Sequence, residues 1–447
     1  MDNGETKEFG RAVSVPQQRF WRAARLGAMT AGVARNMAAK GAQGLLSGER
    51  PALRDLLLTP SNIQRITGEL ARMRGAAMKL GQLVSMDAGE VLPPELAQIM
   101  ARLRAEADFM PPKQLRQVLN AAWGPDWLKH FKQFDVRPIA AASIGQVHRA
   151  VRKDGRAVAI KVQYPGVARS IDSDVANVAA LVKMSGLMPQ GFALDPYVEE
   201  ARKQLHEETD YLQEAAHLRT FQSLLADTDR YELPEVHDDL TVPSVLCMSY
   251  LPSVPLEDVA DLPSEQRNRV AGDLIDLVLR ELFEFRTVQS DPNFANFRYN
   301  PETERLVLLD FGATRQLDPA ICAQYRSLIT AGLAGHEAGM HSAAQALGLW
   351  DTSTDEVHMA RLTRMMGLVF EAIKARETYD FTDQTLSQQM TEEGIALAQS
   401  GFVPPPVPMD VLFIQRKLGG VFLIAANLKA ALPLEQTIRA HLTRPKN

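Results

Sequence analysis

Apolar residues recur at three- and four-residue steps through residues 61–104. Ile63, Ile66, Leu70, Met73, Ala77, Leu80 and Val84 fall on one side of a 3.6-residue repeat, which predicts helices. Pro93-Pro94 breaks that run and opens the next helix, because proline is tolerated in a first turn but not in a helix interior. A further helix is predicted over 110–124, with Gly124 as its stop. The pattern changes over 136–165, where two short apolar runs flank Lys153-Asp154-Gly155. An Asp-Gly step between alternating residues predicts a β-hairpin. Helical periodicity returns from about Ile171 to Leu224, apart from a Pro- and Gly-containing break at 187–196. Residues 241–253 read as a strand running into an extended connector, and from Ser264 onward the chain reads as mostly helical. One short strand in R-L-V-L-L-D-F-G (305–312) interrupts that body, and a Pro-rich loop at 402–410 precedes a last apolar helical segment.

This order predicts an α+β protein: a small β-sheet lobe hinged to a larger helical lobe, with a helical extension in front. Four segments follow: 1–60, 61–125 as the extension, 126–250 as a sheet lobe with a helical insertion, and 251–447 as the helical lobe. At 447 residues the chain exceeds a single compact core. Its net charge of −5 lacks the basic excess of a nucleic-acid binder. The two cysteines, Cys247 and Cys322, exclude a disulfide framework, lack the spacing of a zinc site and suit a reducing compartment. No uninterrupted apolar run reaches about 18 residues, so no membrane span is predicted.

One local asymmetry changes the picture. Between Phe9 and Gly48 the chain carries Arg11, Arg19, Arg22, Arg25, Arg35 and Lys40 and no acidic residue. Phe20, Trp21, Leu26, Met29 and Val33 are interleaved with these cations. Such a helix could lie on an anionic membrane surface or pack its apolar face on the rest of the protein. Asp2, Glu5 and Glu8 speak against an organelle transit peptide.

The candidate chemistry begins at the hairpin. V-A-I-K ends its second strand and puts Lys161 on a rigid sheet, the arrangement by which protein kinases hold nucleotide phosphates. The phosphate-covering loop of kinases is glycine-rich, whereas here it reads Ala140-Ala141-Ala142-Ser143 with only Gly145 following. A kinase lysine needs a helix glutamate as partner, and Glu207, Glu208, Asp210 and Glu214 are available; Glu208 lies on a different helix face from Asp210 and from Glu214, so they cannot all serve one partner. D-P-N-F-A-N (291–296) sets Asp291 and Asn296 at the five-residue spacing of a catalytic aspartate and a magnesium-binding asparagine. Asp310 of D-F-G then follows a short strand, as a metal-binding aspartate should. The His-Arg that precedes the usual catalytic aspartate is absent; Gln289-Ser290 stands there.

The words K-L-G-Q (79–82), A-A-A-S-I-G-Q-V-H (140–148), V-A-I-K-V-Q-Y-P-G-V (158–167), E-T-D (208–210), Q-S-D-P-N-F-A-N-F (289–297), L-L-D-F-G-A-T-R (308–315) and R-K-L-G-G (416–420) complete the pattern. On them the chain resembles the UbiB/ADCK atypical kinase family, and within it the coenzyme-Q branch, from about Val15 to the final helix.

The resemblance implies ATP and Mg2+ as cofactors and a protein-kinase-like bilobal fold whose N-terminal extension covers the active site. It implies that Lys161 contacts phosphates and pairs with Glu214, that Asn296 and Asp310 hold magnesium, and that Asp291 takes the catalytic-base position. Ala140, Ala141, Ala142 and Ser143 would cover the nucleotide, and Ser249, Tyr250 and Leu251 would form the hinge and meet adenine through backbone atoms. Lys79, counted with Lys161 and Asp291 among the catalytic candidates, belongs with Gly81 and Gln82 to the extension and would sit near Glu208 and Asp210.

The implied function is an Mg-ATP-dependent atypical kinase or ATPase supporting ubiquinone biosynthesis. Expected partners are ATP or ADP, an anionic membrane surface, and ubiquinone precursors or biosynthetic enzymes, with no nucleic acid. The expected location is cytoplasmic and peripheral at the inner membrane, or on the matrix side of a mitochondrion. Two other classes remain: a nucleotide-binding pseudokinase scaffold and a conventional protein kinase. His148 and His206 read as surface hydrogen-bonding residues, the methionines of 359–370 as core, and 404–408 as a rigid connector.

Overall fold

The computed structural model describes residues 70, 73–88, 109–185, 193–291, 293–402, 405 and 407–443. The basic segment 1–60, Pro93-Pro94, most of the break at 187–196 and part of the Pro-rich loop lie outside the described residues. The protein divides into two compact units: the described chain up to Ala216 with Glu235–Tyr250, and His217–Pro234 with the chain from Leu251 on.

The first unit is built on an antiparallel sheet of β1 (Phe131–Phe134), β2 (Ala140–Ala141), β3 (Gly145–Arg152), β4 (Ala157–Gln163) and β6 (Val245–Ser249), in the order β1-β3-β4-β6 with β2 paired on β3. A two-residue β5 (Tyr231–Glu232), in the second unit, precedes β6 in the chain. β4 lies inside the sheet because five of its seven residues are apolar, and Val158, Ile160 and Val162 are fully buried. The β3–β4 turn is made at Gly155, whose φ of +93° suits a residue without a Cβ. Helix α2 (Pro112–Trp123) starts on proline, stops at Gly124, and packs Leu115 and Leu119 against β4, Trp127 and Phe131. Around that core α1 (Arg74–Ala88), α3 (Val167–Ser185) and α4 (Asp195–Glu208) pack on one another, with Leu80, Leu83 and Val84 of α1 almost fully buried. Helix α5 (Tyr211–Leu224) follows directly.

His148 is not a surface residue. It is fully buried on β3, between the Gln146 amide and the Asp135 carbonyl, each 2.8 Å from a ring nitrogen. Burial pushes its imidazole down to about 4. The unfolded chain therefore takes up this proton first as pH falls below the usual histidine range, and native stability falls with it. Between about pH 7 and about pH 5 the loss from this one group is roughly 2 kcal/mol. Urea midpoints at the two pH values should move less in His148→Gln than in the wild type; an equal shift in both would remove His148 as the cause.

The second unit is mostly helical. Helix α6 (Ser264–Arg280) is followed by α7 (Pro319–Ala334), α8 (Glu337–Ala346), α9 (Glu356–Lys374), α10 (Thr385–Gln399), α11 (Met409–Asn427) and α12 (Leu434–Thr443). Gly332 of α7 lets α9 approach closely, because a Cβ there would lie 2.1 Å from the Phe370 ring. Met359, Met365 and Met366 of α9 are only half-buried; Thr363 and Phe370 make the buried contacts, so the methionines are not the core expected of them. No helix among the described residues is long and apolar enough to cross a membrane.

The sequence predicts one short strand in this unit, and the structure has more. β7 (Val254–Pro255), β9 (Phe297–Asn300) and β10 (Arg305–Leu308) join β5 in a sheet ordered β5-β10-β9-β7. β8 (Thr287–Gln289) pairs with β11 (Thr314–Gln316). Strands of two to four residues carry too little alternation to announce themselves; they exist because of the partners they meet.

Candidate active site

In the first unit, β4 holds Lys161 between Val147 of β3 and Leu246 of β6. Its side chain is buried, and Nζ donates to both oxygens of Glu214 at 2.8 and 2.9 Å. Glu214 lies in the first turn of α5, where the helix dipole favours an anion. Of the four acidic candidates it is the one on the helix face that meets β4. A buried ammonium is tolerable only when paired in this way.

The alanine segment is a tight hairpin rather than an open loop. Ala140 and Ala141 form β2, paired with Val147 and Gln146, and Ala142 N donates to Gly145 O at 2.8 Å. Gly145 is required for packing: a Cβ there would lie 2.5 Å from Val162 O and 2.9 Å from the Tyr211 hydroxyl. At the hairpin tip Ser143 Oγ donates to Glu208 Oε2 at 2.8 Å. The other oxygen of Glu208 is paired with Lys79, which is buried on α1. Gly81 and Gln82 follow on the same helix, half-buried. Asp210 is exposed and caps α5, its Oδ1 accepting from Leu212 N at 3.0 Å. Ser249 ends β6 opposite Val158, Tyr250 N donates to Ala157 O at 3.0 Å, and the division between the units falls between Tyr250 and Leu251.

In the second unit two ladders bring the remaining candidates together. β9 pairs with β10 so that Phe297 faces Leu308, and the ladder continues one step as Leu309 N donates to Asn296 O at 3.2 Å. Asn296 and Asp310 thus flank the open end of one hairpin. β8 pairs Gln289 with Thr314, and Ser290 donates from its backbone N and from Oγ to Ala313 O at 2.9 and 2.8 Å. That second ladder sets Asp291 beside the turn that follows Asp310. Asn296 Nδ2 donates to the Asp291 carbonyl at 2.9 Å and to its Oδ2 at 3.3 Å. Asp310 Oδ1 accepts from Gly312 N at 2.9 Å, which shapes the D-F-G turn. The Phe311 ring is buried 4.9 Å from that of Phe221, and His217 Nδ1 lies 3.2 Å from the Phe311 carbonyl.

Sequence reasoning assigned no role to three residues here. Arg416 of α11 donates through Nη2 to Asp291 Oδ1 at 2.9 Å. Its neighbour Lys417 is almost wholly buried and donates to Gln289 O at 2.8 Å, with Glu281 Oε2 3.1 Å away. Glu281, equally buried, stands in a single π-turn (Glu281–Phe285) after α6 and accepts from Gln289 N at 3.2 Å. Burial pushes the Glu281 carboxyl up, and Lys417 opposes that shift. The available signal was the Arg-Lys pair within an apolar helix and a glutamate between leucine-rich steps.

Comparison with known proteins places the chain in a family. The ABC1 atypical kinase-like domain matches residues 102–344. The mitochondrial atypical kinase COQ8 of Saccharomyces cerevisiae is 35% identical over 432 residues, covering 96% of this chain and 85% of that protein. The mitochondrial atypical kinase COQ8B of Rattus norvegicus is 36% identical over 429 residues, covering 95% and 81%. Among solved structures, the Rv3197–erythromycin complex of Mycobacterium tuberculosis superposes with a TM-score of 0.61 at 24% identity, over 86% of this chain and 97% of that one, which is a likeness of fold.

Proposed function

The chain belongs to the ABC1 atypical kinase-like family, in its UbiB/ADCK group, and from that premise we propose that it is an Mg-ATP-dependent kinase or ATPase supporting ubiquinone biosynthesis at a membrane surface. The observation that carries the reading is the hydrogen bond from Asn296 to Asp291, with Asp310 following directly on Leu309, whose N donates to Asn296 O. The donor set suits magnesium. Asn296 spends its Nδ2 on Asp291 and keeps Oδ1 for a cation, while Asp310 adds a carboxylate. Magnesium takes hard oxygens, usually one or two from protein with phosphate and water completing the shell. Bound there, it would neutralise charge developing on the phosphates.

The chain's own residues then have separate tasks. Lys161, oriented by Glu214, offers an ammonium to phosphate oxygens. Asp291 accepts the proton of the attacking hydroxyl or water. The Ala140–Ser143 hairpin covers the nucleotide and, carrying Cβ atoms, is stiffer than a glycine loop. Its tip is tied through Glu208 to Lys79, so the extension that also carries Gly81 and Gln82 restrains the loop. Asp210 serves that arrangement as the cap of α5. Backbone atoms of Ser249, Tyr250 and Leu251 receive the adenine. The ubiquinone context rests on the family resemblance, shared with the mitochondrial COQ8 relatives, and the peripheral membrane location on the basic segment near the N-terminus.

The test follows the γ-phosphate of labelled ATP. The full-length protein is incubated with magnesium, with and without anionic liposomes carrying phenolic ubiquinone-precursor analogues. Free phosphate stimulated by the liposomes is the expected result for a membrane-coupled ATPase, and label on a lipid would identify a small-molecule kinase. Label on a separate polypeptide would make it a conventional protein kinase. Nucleotide binding without any turnover would sink the enzymatic reading and leave a scaffold.

A further inference from the structure

We infer that Arg416 is the positioning residue of the Asp291 carboxylate, supplied from α11 in place of the His-Arg that precedes the corresponding aspartate in ordinary kinases. The inference rests on the proposed role of Asp291.

The residues before Asp291 are Gln289 and Ser290, and neither brings a charge to it. Both of them are buried and committed elsewhere: Gln289 O to Lys417, Ser290 to the Ala313 carbonyl. The cation at Asp291 comes instead from 125 residues further along the chain. Arg416 Nη2 addresses Oδ1 and Asn296 Nδ2 addresses Oδ2. Two donors on two different oxygens fix the plane of the carboxylate as well as its position, which one donor alone leaves free to rotate. The pair is 19% and 21% exposed, so its attraction is screened far less than that of a surface pair.

α11 is itself held in register at both loops it serves. Asp410, Phe413 and Lys417, at steps of three and four, share one face of the helix. Asp410 lies 3.5 Å from Arg315 Nε, and the Arg315 guanidinium sits 4.5 Å from the centre of the Phe413 ring, which ties the helix start to β11 after D-F-G. Lys417 ties it to β8 through Gln289 and to the π-turn through Glu281. Arg416 is thereby delivered to Asp291 from a platform that also backs the segment following Asp310. A guanidinium needing only to be near the loop would not require a buried lysine beside it.

The experiment is steady-state Mg-ATP turnover by the full-length wild type, Arg416→Met, Arg416→Lys, Asp291→Asn and Arg416→Met/Asp291→Asn, with thermal midpoints for each. Arg416→Met should lower kcat about 30-fold with KM for ATP changed less than about threefold. Arg416→Lys, which keeps a cation but loses the fork, should recover about a third of the lost logarithm of rate. In the Asp291→Asn background the arginine substitution should change the remaining rate less than about twofold, because its effect passes through that carboxylate. An equal loss in both backgrounds would overturn the inference, as would a raised KM with unchanged kcat or a fall in rate matched by a fall in thermal midpoint. Turnover indifferent to Asp291→Asn would overturn the proposed role of Asp291 itself. Turnover lost in Asp291→Asn yet indifferent to Arg416→Met would overturn the positioning role alone.

Discussion

Asp310→Asn is expected to cut Mg-dependent turnover about a thousandfold, roughly 4 kcal/mol of transition-state stabilisation. The substitution is nearly isosteric, and an asparagine Oδ1 can still accept from Gly312 N, so the D-F-G turn and the burial of Phe311 should persist. What disappears is the negative charge that a hard divalent ion needs in a site where the other protein donor proposed, Asn296, is a neutral amide. The magnesium concentration for half-maximal rate should rise in step, while thermal stability without metal stays near that of the wild type. Phosphate release measured across a magnesium titration checks both. A variant within about threefold of the wild-type rate at saturating magnesium would remove Asp310 from the metal site.

Lys417→Met should destabilise the second unit by about 3–5 kcal/mol. Lys417 and Glu281 are each 1% exposed, so removing the ammonium leaves a carboxylate with neither water nor a counter-charge. Glu281 already has its carboxyl pushed up by burial, and without Lys417 the rise can only grow. An acid whose folded pKa is raised contributes its full stability below its unfolded value and loses it as pH rises through the folded one. The variant should therefore recover stability on acidification. A second change, Glu281→Leu, should restore most of the loss at neutral pH by removing the stranded charge. Denaturant midpoints of the single and double variants decide the matter: a single variant as stable as the wild type would mean that water reaches Glu281.

Much of the candidate site could be read from spacing alone. Lys161 stands on a strand because V-A-I-K has strand composition and an Asp-Gly turn stands before it, although the strand runs on to Gln163. Asn296 and Asp310 are read from a five-residue step and from a strand that stops at D-F-G. Such motifs are local, since the backbone geometry they require lies within a few residues. The helices of the described extension and of the second unit were likewise legible from a 3.6-residue period, which registers burial of one face whatever covers it.

Other assignments needed the fold. Glu207, Glu208, Asp210 and Glu214 are equivalent as a list of acids; only the packing of α5 on β4 gives Lys161 to Glu214, and only the close of α4 turns Asp210 into a cap. His148 looked like a surface residue until the sheet buried it. β8, β9 and β11 are too short to show a period, yet their ladders are what set Asp291 beside the metal-loop candidates. Arg416 and Lys417 lie 125 and 128 residues from their partners Asp291 and Gln289. A linear chain by itself therefore determined which residue types and which periodic elements this protein has, because those depend on near neighbours. Which charge meets which was decided only by tertiary structure, because pairing and desolvation depend on distances that sequence separation does not encode.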